Sequence, residues 1–168
     1  MPVKEVLLLG NPKLREKSSN IKNFNGDYRK NLDDLSDTLL YLQKVKRIGR
    51  AMAAPQIGWK KNVIFYNIPD RSFFMVNPKV IWKSEEMIDV WDSCFCFDVA
   101  FFIEIKRYKR VEAQYLDGEG NKYVEEFNGD LSELVQHEID HLNGILATDH
   151  LKNPRKIIMR NEWERRFK

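Results

Sequence analysis

Cysteine and histidine are scarce in this chain of 168 residues, which contains two cysteines and three histidines. The two cysteines, Cys94 and Cys96, are one residue apart, and this spacing excludes the disulfide framework of a small secreted domain. No apolar run approaches the roughly 18 residues of a membrane-spanning helix. The apolar residues at 6–9 are too few for a signal peptide, which needs about 7–15 of them. We therefore expect a reduced, cytoplasmic protein with no membrane partner.

A strong excess of one charge sign is also missing. The 28 Lys and Arg residues nearly balance 25 Asp and Glu residues, which leaves a net charge of +3. So small an excess argues against specific DNA binding. With 43% hydrophobic and 32% charged residues, the composition is that of a folded protein rather than a disordered one. The length predicts one domain, spanning 1–168.

The period of the apolar residues changes along the chain. Leucines at steps of three and four predict a long amphipathic helix over 27–46, and similar spacing predicts helices over 131–142 and 154–167. Between them lie short apolar or alternating segments, which are typical of strands. The predicted strands are 63–66, 73–76, 80–82, segments within 103–116, and 122–127. Strands in the middle with helices at both ends predict the α+β class.

Two of the three histidines lie four residues apart on the predicted helix 131–142. The sequence His137-Glu138-Ile139-Asp140-His141 puts both imidazoles on one helix face, one turn apart, where they can bind one metal ion. Glu138 can then reach a water bound to that ion and act as its general base. Asp140 is a candidate to orient a histidine ligand. The motif predicts a metal site but does not by itself choose the reaction.

A catalytic site of this kind needs a third protein ligand. The metzincin pattern would require a histidine at position 147, where this chain has Ala147. His150 is better explained as a surface or packing histidine. Cys94 is the remaining candidate, and its alternative explanation is a buried cysteine that behaves as a small hydrophobic residue.

Three sequence blocks resemble, in order, the motifs of the peptide deformylases. The family patterns are Gly-x-Gly-Leu-Ala-Ala-x-Gln, Glu-Gly-Cys-Leu-Ser and Gln-His-Glu-x-x-His. This chain has Gly-Arg-Ala-Met-Ala-Ala-Pro-Gln at 49–56, Asp-Ser-Cys-Phe-Cys at 92–96 and Gln-His-Glu-Ile-Asp-His at 136–141. Order, spacing and chain length extend the resemblance over nearly the whole sequence. It implies small antiparallel sheets packed around a central metal-binding helix, with an N-terminal amphipathic helix and a C-terminal helix.

The resemblance also implies an activity and a metal. Members of the family remove the formyl group from the N-terminal methionine of nascent polypeptides, so an N-formyl-Met peptide is the implied substrate. The implied ligands are Cys94, His137 and His141. Ferrous iron (Fe²⁺) is the usual metal in the family, and zinc, nickel or cobalt can occupy the same site.

Further residues take their expected roles from the same resemblance. Glu138 corresponds to the family's acid/base, and Gln56 and the backbone N–H of Phe95 correspond to donors to the formyl oxygen. Two donors directed at a developing oxyanion are worth a few kcal/mol each. In the family the first block runs close to the substrate backbone, which makes Gly49 and Ala51 candidate substrate contacts.

The chain departs from the family patterns at several positions. Ala51 replaces a glycine, and Asp92 replaces the glutamate of the second block. The segment 97–102 has neither the proline nor the arginine that often follow that block. Asp130 and Glu133 fall on the metal-facing side of the helix. Because the family usually has leucine at the position of Asp130, in the methionine pocket, an acid there would disfavour an apolar side chain; alternatively, it caps the helix. A divergent amidase for another N-acyl substrate is therefore an alternative function.

Cys96 leads to a second alternative. On a strand, residues 94 and 96 would point to the same face. If Cys96 also bound the metal, the Cys2His2 set would leave no open coordination position, which predicts a structural zinc protein rather than an enzyme.

The predicted C-terminal helix is rich in basic residues. A basic helix face favours weak, salt-sensitive association with ribosomal RNA, and the alternative is a solvated face with no partner. The basic residues are Lys152, Arg155, Lys156, Arg160, Arg165, Arg166 and Lys168.

Overall fold

The computed structural model describes residues 3–167 and confirms the α+β class. Within these residues the helices are α1 (Gly26–Lys46), α2 (Asp130–Leu142) and α3 (Arg160–Phe167). The strands are β1 (Ala51–Ala53), β2 (Val63–Ile68), β3 (Arg71–Lys83), β4 (Met87–Asp92), β5 (Phe101–Tyr108), β6 (Arg110–Leu116), β7 (Lys122–Asn128) and β8 (Ile157–Met159). Single turns of 3-10 helix lie at Pro12–Arg15, Ala54–Ile57, Phe95–Phe97, Ala147–His150 and Pro154–Lys156. No helix within the described residues is both long and apolar enough to cross a membrane.

The strands form two antiparallel sheets. One has five strands in the order β1-β2-β3-β6-β7, and the other has three in the order β4-β5-β8. Helix α2 contacts β1, β2 and β7 of the first sheet and β5 of the second. Residues of α2 therefore lie where side chains from both sheets can reach them.

Helix α1 matches its sequence prediction closely. Asn25 caps its N-terminus by accepting a hydrogen bond from the Tyr28 N–H (3.4 Å), and Arg47 ends it in the left-handed conformation at φ 55°. Leu35 and Leu39 are fully buried in the core that the helix shares with β1 and β2. The leucine spacing thus identifies the face that packs on the sheet.

Strand β3 is one long strand where the sequence predicts two. The chain bends at Asn77, which has φ +51°, and the pairing with β6 shifts between Val76 and Lys79. Asparagine tolerates this conformation better than most residues. Its side chain also bonds the Ile21 N–H (2.8 Å) and C=O (2.9 Å). The Asn-Pro pair is therefore a bulge within a continuous strand.

The prediction of a helix over 154–167 is wrong in its first half. A 3-10 turn and strand β8 precede α3, and β8 pairs with β5. The β-branched Ile157 and Ile158 suit a strand, and Ile158 is buried there. Lys152, Arg155 and Lys156 consequently lie outside the helix, and Lys168 lies outside the described residues.

Gln136 anchors α2 to the end of β5. Its Oε1 accepts from the Tyr108 N–H (3.0 Å) and its Nε2 donates to the Tyr108 carbonyl (2.8 Å). The Ser132 hydroxyl donates to the same carbonyl (2.8 Å). The glutamine of the third sequence block therefore fixes the helix rather than facing a substrate.

Gly144, just after α2, lies close to the N-terminal arm, which is the segment 3–25 before α1. A Cβ built there would lie 2.4 Å from the Arg15 carbonyl oxygen, at a φ of +72°. Nearby, the Ser18 N–H donates to the Leu142 carbonyl (2.8 Å). The arm can follow the end of α2 this closely because residue 144 has no side chain.

We predict that Gly144→Ala destabilises the protein more than Gly58→Ala. Both glycines have positive φ, which costs alanine about 1–2 kcal/mol. Only Gly144 adds a backbone clash, worth about 1–3 kcal/mol more, because the Cβ position at Gly58 has no neighbour within 4 Å. Urea unfolding of the two variants measures the difference. Equal losses of unfolding free energy in the two variants would contradict the close approach of the Arg15 carbonyl to Gly144.

Candidate metal centre and active-site cavity

Two imidazoles and a thiol converge between α2 and the segment after β4. The Nε2 atoms of His137 and His141 are 3.2 Å apart, and Cys94 Sγ is 3.2 Å from His141 Nε2. All three residues are buried. Cys94 reaches the histidines because β4 ends at Asp92 and the chain stays extended at Cys94 (φ −141°, ψ 150°) before the turn that begins at Phe95. The structure thus brings together the three sequence-predicted ligands.

The chemistry of this donor set fits a divalent transition metal. One sulfur and two imidazole nitrogens suit zinc, iron and related ions. Burial and the charge of His137 lower the pKa of His141 to about 3 in the protein alone, so its imidazole is neutral and able to coordinate. Burial raises the pKa of the Cys94 thiol, so metal binding would have to release its proton.

Asp92 holds His137 on the side away from this centre. The His137 Nδ1 lies 2.9 Å from Asp92 Oδ1, and Arg107 donates to the other carboxylate oxygen at 3.2 Å. Burial alone would lower the pKa of His137, but the Asp92 carboxylate raises it to about 10, so metal binding would have to release the proton on Nε2. A proton kept on Nδ1 leaves Nε2 as the ligating atom. The sequence showed Asp92 only as a departure from a motif, and its position two residues before Cys94 was the available signal.

Asp140 does not contact either predicted histidine ligand, so its predicted orienting role is wrong. Its carboxylate accepts a hydrogen bond from Arg107 and lies 2.8 Å from His150 Nε2. The reason is that its side chain lies beside Arg107 of β5 rather than beside the imidazoles. The His150 side chain, 37% exposed, is the partly exposed packing histidine that the sequence predicted.

A cavity of about 420 Å³ opens beside the convergent donors. Glu138 lines it and is buried, and its Oε2 has no hydrogen-bond partner among the described residues. Burial raises the pKa of Glu138 to about 7, so this carboxyl can both accept and release a proton near neutral pH. Of the sequence-predicted site residues, all but His141 line this cavity: Gly49, Ala51, Gln56, Cys94, Phe95, His137 and Glu138.

Two N–H donors flank Cys94 on the cavity wall. The Gln56 Oε1 accepts from the Ala53 N–H (2.7 Å), which turns Nε2 toward the Cys94 sulfur at 3.4 Å. The Phe95 N–H begins a single helical turn, where the first N–H has no acceptor within the turn. Both Gln56 and Phe95 line the cavity beside Cys94, and their catalytic roles remain predictions.

Gly49 has a visible structural reason for its small size, and Ala51 lies on an edge strand. Gly49 has φ +100°, and a Cβ there would lie 2.3 Å from the Phe95 ring. Ala51 begins β1, which is the last strand at its end of the sheet and pairs only with β2 among the described residues. The substrate contacts predicted for both residues stay predictions.

Cys96 lies in the 3-10 turn rather than on a strand, so the same-face argument from strand geometry is wrong. Its sulfur nevertheless belongs to a buried group in which the ligand atoms of Cys94, Cys96 and His141 lie within 4.8 Å of one another. The Cys96 N–H donates to the Cys94 sulfur (3.3 Å). Metal binding by Cys96 stays a hypothesis.

Asp130 and Glu133 line the cavity, as their helix positions predicted, but Asp130 does not cap α2. Gly129 is the capping residue, and the Asp130 carboxylate instead pairs with Arg50. Arg50 also pairs with Glu133 at 3.1 Å. Arg50 was visible as the variable position of the first sequence block, but no sequence signal paired it with an acid.

Arg160 also lines the cavity, which the sequence did not predict. Its guanidinium lies 4.4 Å over the Phe102 ring, donates to the Val99 carbonyl and is 3.4 Å from the Ser93 hydroxyl. The RNA contact expected for Arg160 stays a prediction. No local signal could have found this position, because the pairing of β8 with β5 brings Arg160 here.

A buried thiol–imidazole donor set with an adjacent carboxyl, in an α+β protein, defines the class of metallohydrolases. Residues 3–157 match the family model of polypeptide deformylase, and the chain belongs to that family.

Relatives and solved structures agree with this assignment. The peptide deformylase of Heliobacterium modesticaldum is 35% identical over 153 residues, which cover 91% of this chain and 97% of that protein. The crystal structure of peptide deformylase from Thermotoga maritima superposes with a TM-score of 0.83 at 25% identity, covering 91% of this chain and all of that one. The Ehrlichia chaffeensis enzyme in complex with actinonin gives a TM-score of 0.84 at 28% identity, covering 93% and 92%.

We predict that Asp92→Asn weakens metal binding about 10- to 100-fold, because it removes the charge that holds the His137 ring. Asp140→Asn is the matched control. It also loses a charged contact to Arg107 but touches neither of the predicted ligands His137 and His141. Competition against a chromophoric chelator measures both affinities. Equal losses of metal affinity in the two variants would show that the loss comes from the broken contact with Arg107 and not from the His137 ring.

Proposed function

We propose that this protein is a peptide deformylase that hydrolyses the formyl amide of N-terminal methionine in new polypeptides. The observation that carries this proposal is that Glu138 lines a cavity beside the converging Cys94, His137 and His141 donors in a deformylase-family fold. The active unit we propose is one cytoplasmic domain over 1–168, with α2 as its metal-binding helix and the sheets packed around it.

The family depends on a metal, and here we assign Cys94, His137 and His141 as its ligands. We propose ferrous iron, with zinc, nickel or cobalt as alternatives. Such an ion, when bound, supplies Lewis-acid activation of water and of the formyl carbonyl.

Glu138 is the group that moves the proton. It accepts a proton from the attacking water and returns it to the amine nitrogen as the C–N bond breaks, so that formate and a free N-terminus result. A pKa of about 7 suits both steps, because a group that titrates near the working pH is effective as both base and acid. Burial of Glu138 in the cavity wall keeps this pKa high.

Gln56 Nε2 and the backbone N–H of Phe95 are the hydrogen-bond donors to the formyl oxygen. Gln56 Nε2 now faces sulfur, a weak acceptor, at 3.4 Å from Cys94 and 3.5 Å from Cys96. A substrate would offer that N–H a developing oxyanion, which is a stronger acceptor. Since the Ala53 N–H already fixes the other end of the amide, little reorganisation is needed.

The free edge of β1 is where we place the peptide backbone. An extended peptide can add to an open strand edge through main-chain hydrogen bonds. Gly49 and Ala51 lie at this edge, and Arg160 lies on the facing wall with donors for peptide carbonyls.

Two further proposals concern Cys96 as a fourth metal ligand and the ribosome as a partner. The buried grouping of Cys96 with Cys94 and His141 favours, as a second candidate, a closed structural metal site. Weak ribosome association remains a proposal, and in α3 it would depend on Arg165, whose side chain is 78% exposed.

We predict that Glu138→Gln lowers kcat about 10²- to 10⁴-fold while metal content stays unchanged, because the amide cannot transfer the proton. Cys96→Ser should retain activity, because an open site does not use that sulfur. Formate release from a formyl-Met peptide, by enzyme loaded anaerobically with ferrous iron, measures both variants. No turnover by the metal-replete wild type would favour the closed site, whereas loss of turnover in Cys96→Ser alone would mean that the active enzyme needs that sulfur.

We predict that Arg160→Ala raises KM for a formyl-Met tripeptide about tenfold and leaves kcat nearly unchanged, because it removes a contact made equally in the bound and transition states. Arg165→Ala is the matched control on the same helix, and it should change neither constant. A selective fall in kcat would mean that Arg160 acts on the reacting atoms instead.

A further inference from the structure

One arm of the cavity extends from the reacting groups toward the start of α2. Asp130, Glu133 and His137 follow one another at steps of three and four and therefore share a helix face. At about 1.5 Å rise per residue, Glu133 lies roughly 6 Å before His137 along the axis. Its carboxylate lies within 4.8 Å of the ligand atoms of His137 and Asp92, within reach of a long side chain. This arm is continuous with the reacting end of the cavity, where Glu138 presents its buried, unpaired oxygen.

The wall of this arm combines apolar and acidic side chains. Ile48 and Leu134 line it together with Glu133 and Asp130. Arg50 pairs with both carboxylates, so one positive charge faces two negative ones.

This net negative charge lies partly out of water. The Glu133 side chain is only 10% exposed, whereas that of Asp130 is 79% exposed. An apolar tip placed here would remove water from the carboxylates without replacing its hydrogen bonds. A donor or cation would find free lone pairs, because each carboxylate accepts more bonds than Arg50 supplies. The other guanidinium of the cavity, that of Arg160, lies over the Phe102 ring and pairs with neither carboxylate among the described residues.

Resting on the proposed function, we propose that this arm receives the side chain of the formylated residue and selects for a long side chain with a cationic tip. The backbone placed along β1 positions the first side chain against α2, beside the amide that is cut. The apolar part then binds the stem, which accounts for acceptance of methionine, and the carboxylates of Glu133 and Asp130 bind the tip. Deformylation of formyl-Met peptides is thereby retained, but methionine is not the best-matched side chain.

The test compares three formyl tripeptides that differ only in the first residue: lysine, norleucine or glutamate, each followed by Ala-Ser. Norleucine has the stem of lysine without its ammonium group. For the wild type at low salt we expect kcat/KM for lysine to exceed that for norleucine about three- to tenfold, with glutamate below both. Added salt should reduce this ratio and leave the norleucine value unchanged.

The double variant Asp130→Asn, Glu133→Gln removes the charge at constant size, and its lysine-to-norleucine ratio should fall to one or below. The control is Asp89→Asn, Glu86→Gln, which neutralises two exposed carboxylates that do not line this cavity and should leave the ratio unchanged. If the double variant does not fold, the salt dependence of the wild type still decides the question.

A formyl-Met tripeptide is measured beside these substrates to separate the two proposals. Turnover of formyl-Met with a lysine-to-norleucine ratio at or below one in the wild type would overturn the charged subsite and leave the deformylase intact. No turnover of any formyl peptide by metal-loaded enzyme would overturn both.

Discussion

The buried contact of Arg107 with two carboxylates determines how the parts of the active site meet. Arg107 lies on β5, is 3% exposed, and bonds Asp92 at the end of β4 and Asp140 on α2. Buried charges are costly unless each has a partner, so this group can form only when the two strands and the helix are correctly placed. Its geometry brings Asp92 to His137 and, two residues later, Cys94 to His141.

One face of α2 therefore serves two purposes. Its second half carries His137 and Glu138, whose chemistry requires a buried, nearly dry environment. Its first turn carries Asp130 and Glu133, which line the same cavity closer to solvent. The proposed reaction chemistry and the proposed side-chain selection lie on consecutive turns of one helix, so we expect a substitution in the first turn to change selectivity without moving the reacting groups.

The sequence predicted those features that depend on local spacing. The leucine period identified α1, and the two histidines four residues apart identified the donor face of α2. Pairing between distant segments was not predictable in the same way. Arg160 reaches the cavity only because β8 adds to β5, and the ion pairs of Arg50 depend on packing between β1 and α2.

Asp92, and not the predicted Asp140, holds the His137 ring, and this difference also comes from pairing between distant segments. Position 140 is adjacent to a histidine in sequence, yet its side chain faces Arg107 and His150. Asp92 is far from His137 in sequence and is brought to it by the end of β4. Sequence proximity on a helix indicates which residues share a face, but a partner across an interface depends on the fold.

The surroundings of Cys94 explain how one sulfur can be a ligand without weakening the centre. A thiolate lowers the effective charge of a bound ion and so its ability to activate water. Here the Cys96 N–H (3.3 Å) and the Gln56 amide (3.4 Å) both donate to that sulfur and withdraw electron density from it. The turn at 95–97 thus supplies a donor to the sulfur, and its first N–H, that of Phe95, is the one that we propose for the substrate oxygen. A short helical turn after the cysteine serves this purpose better than a continued strand, whose N–H groups would alternate between faces.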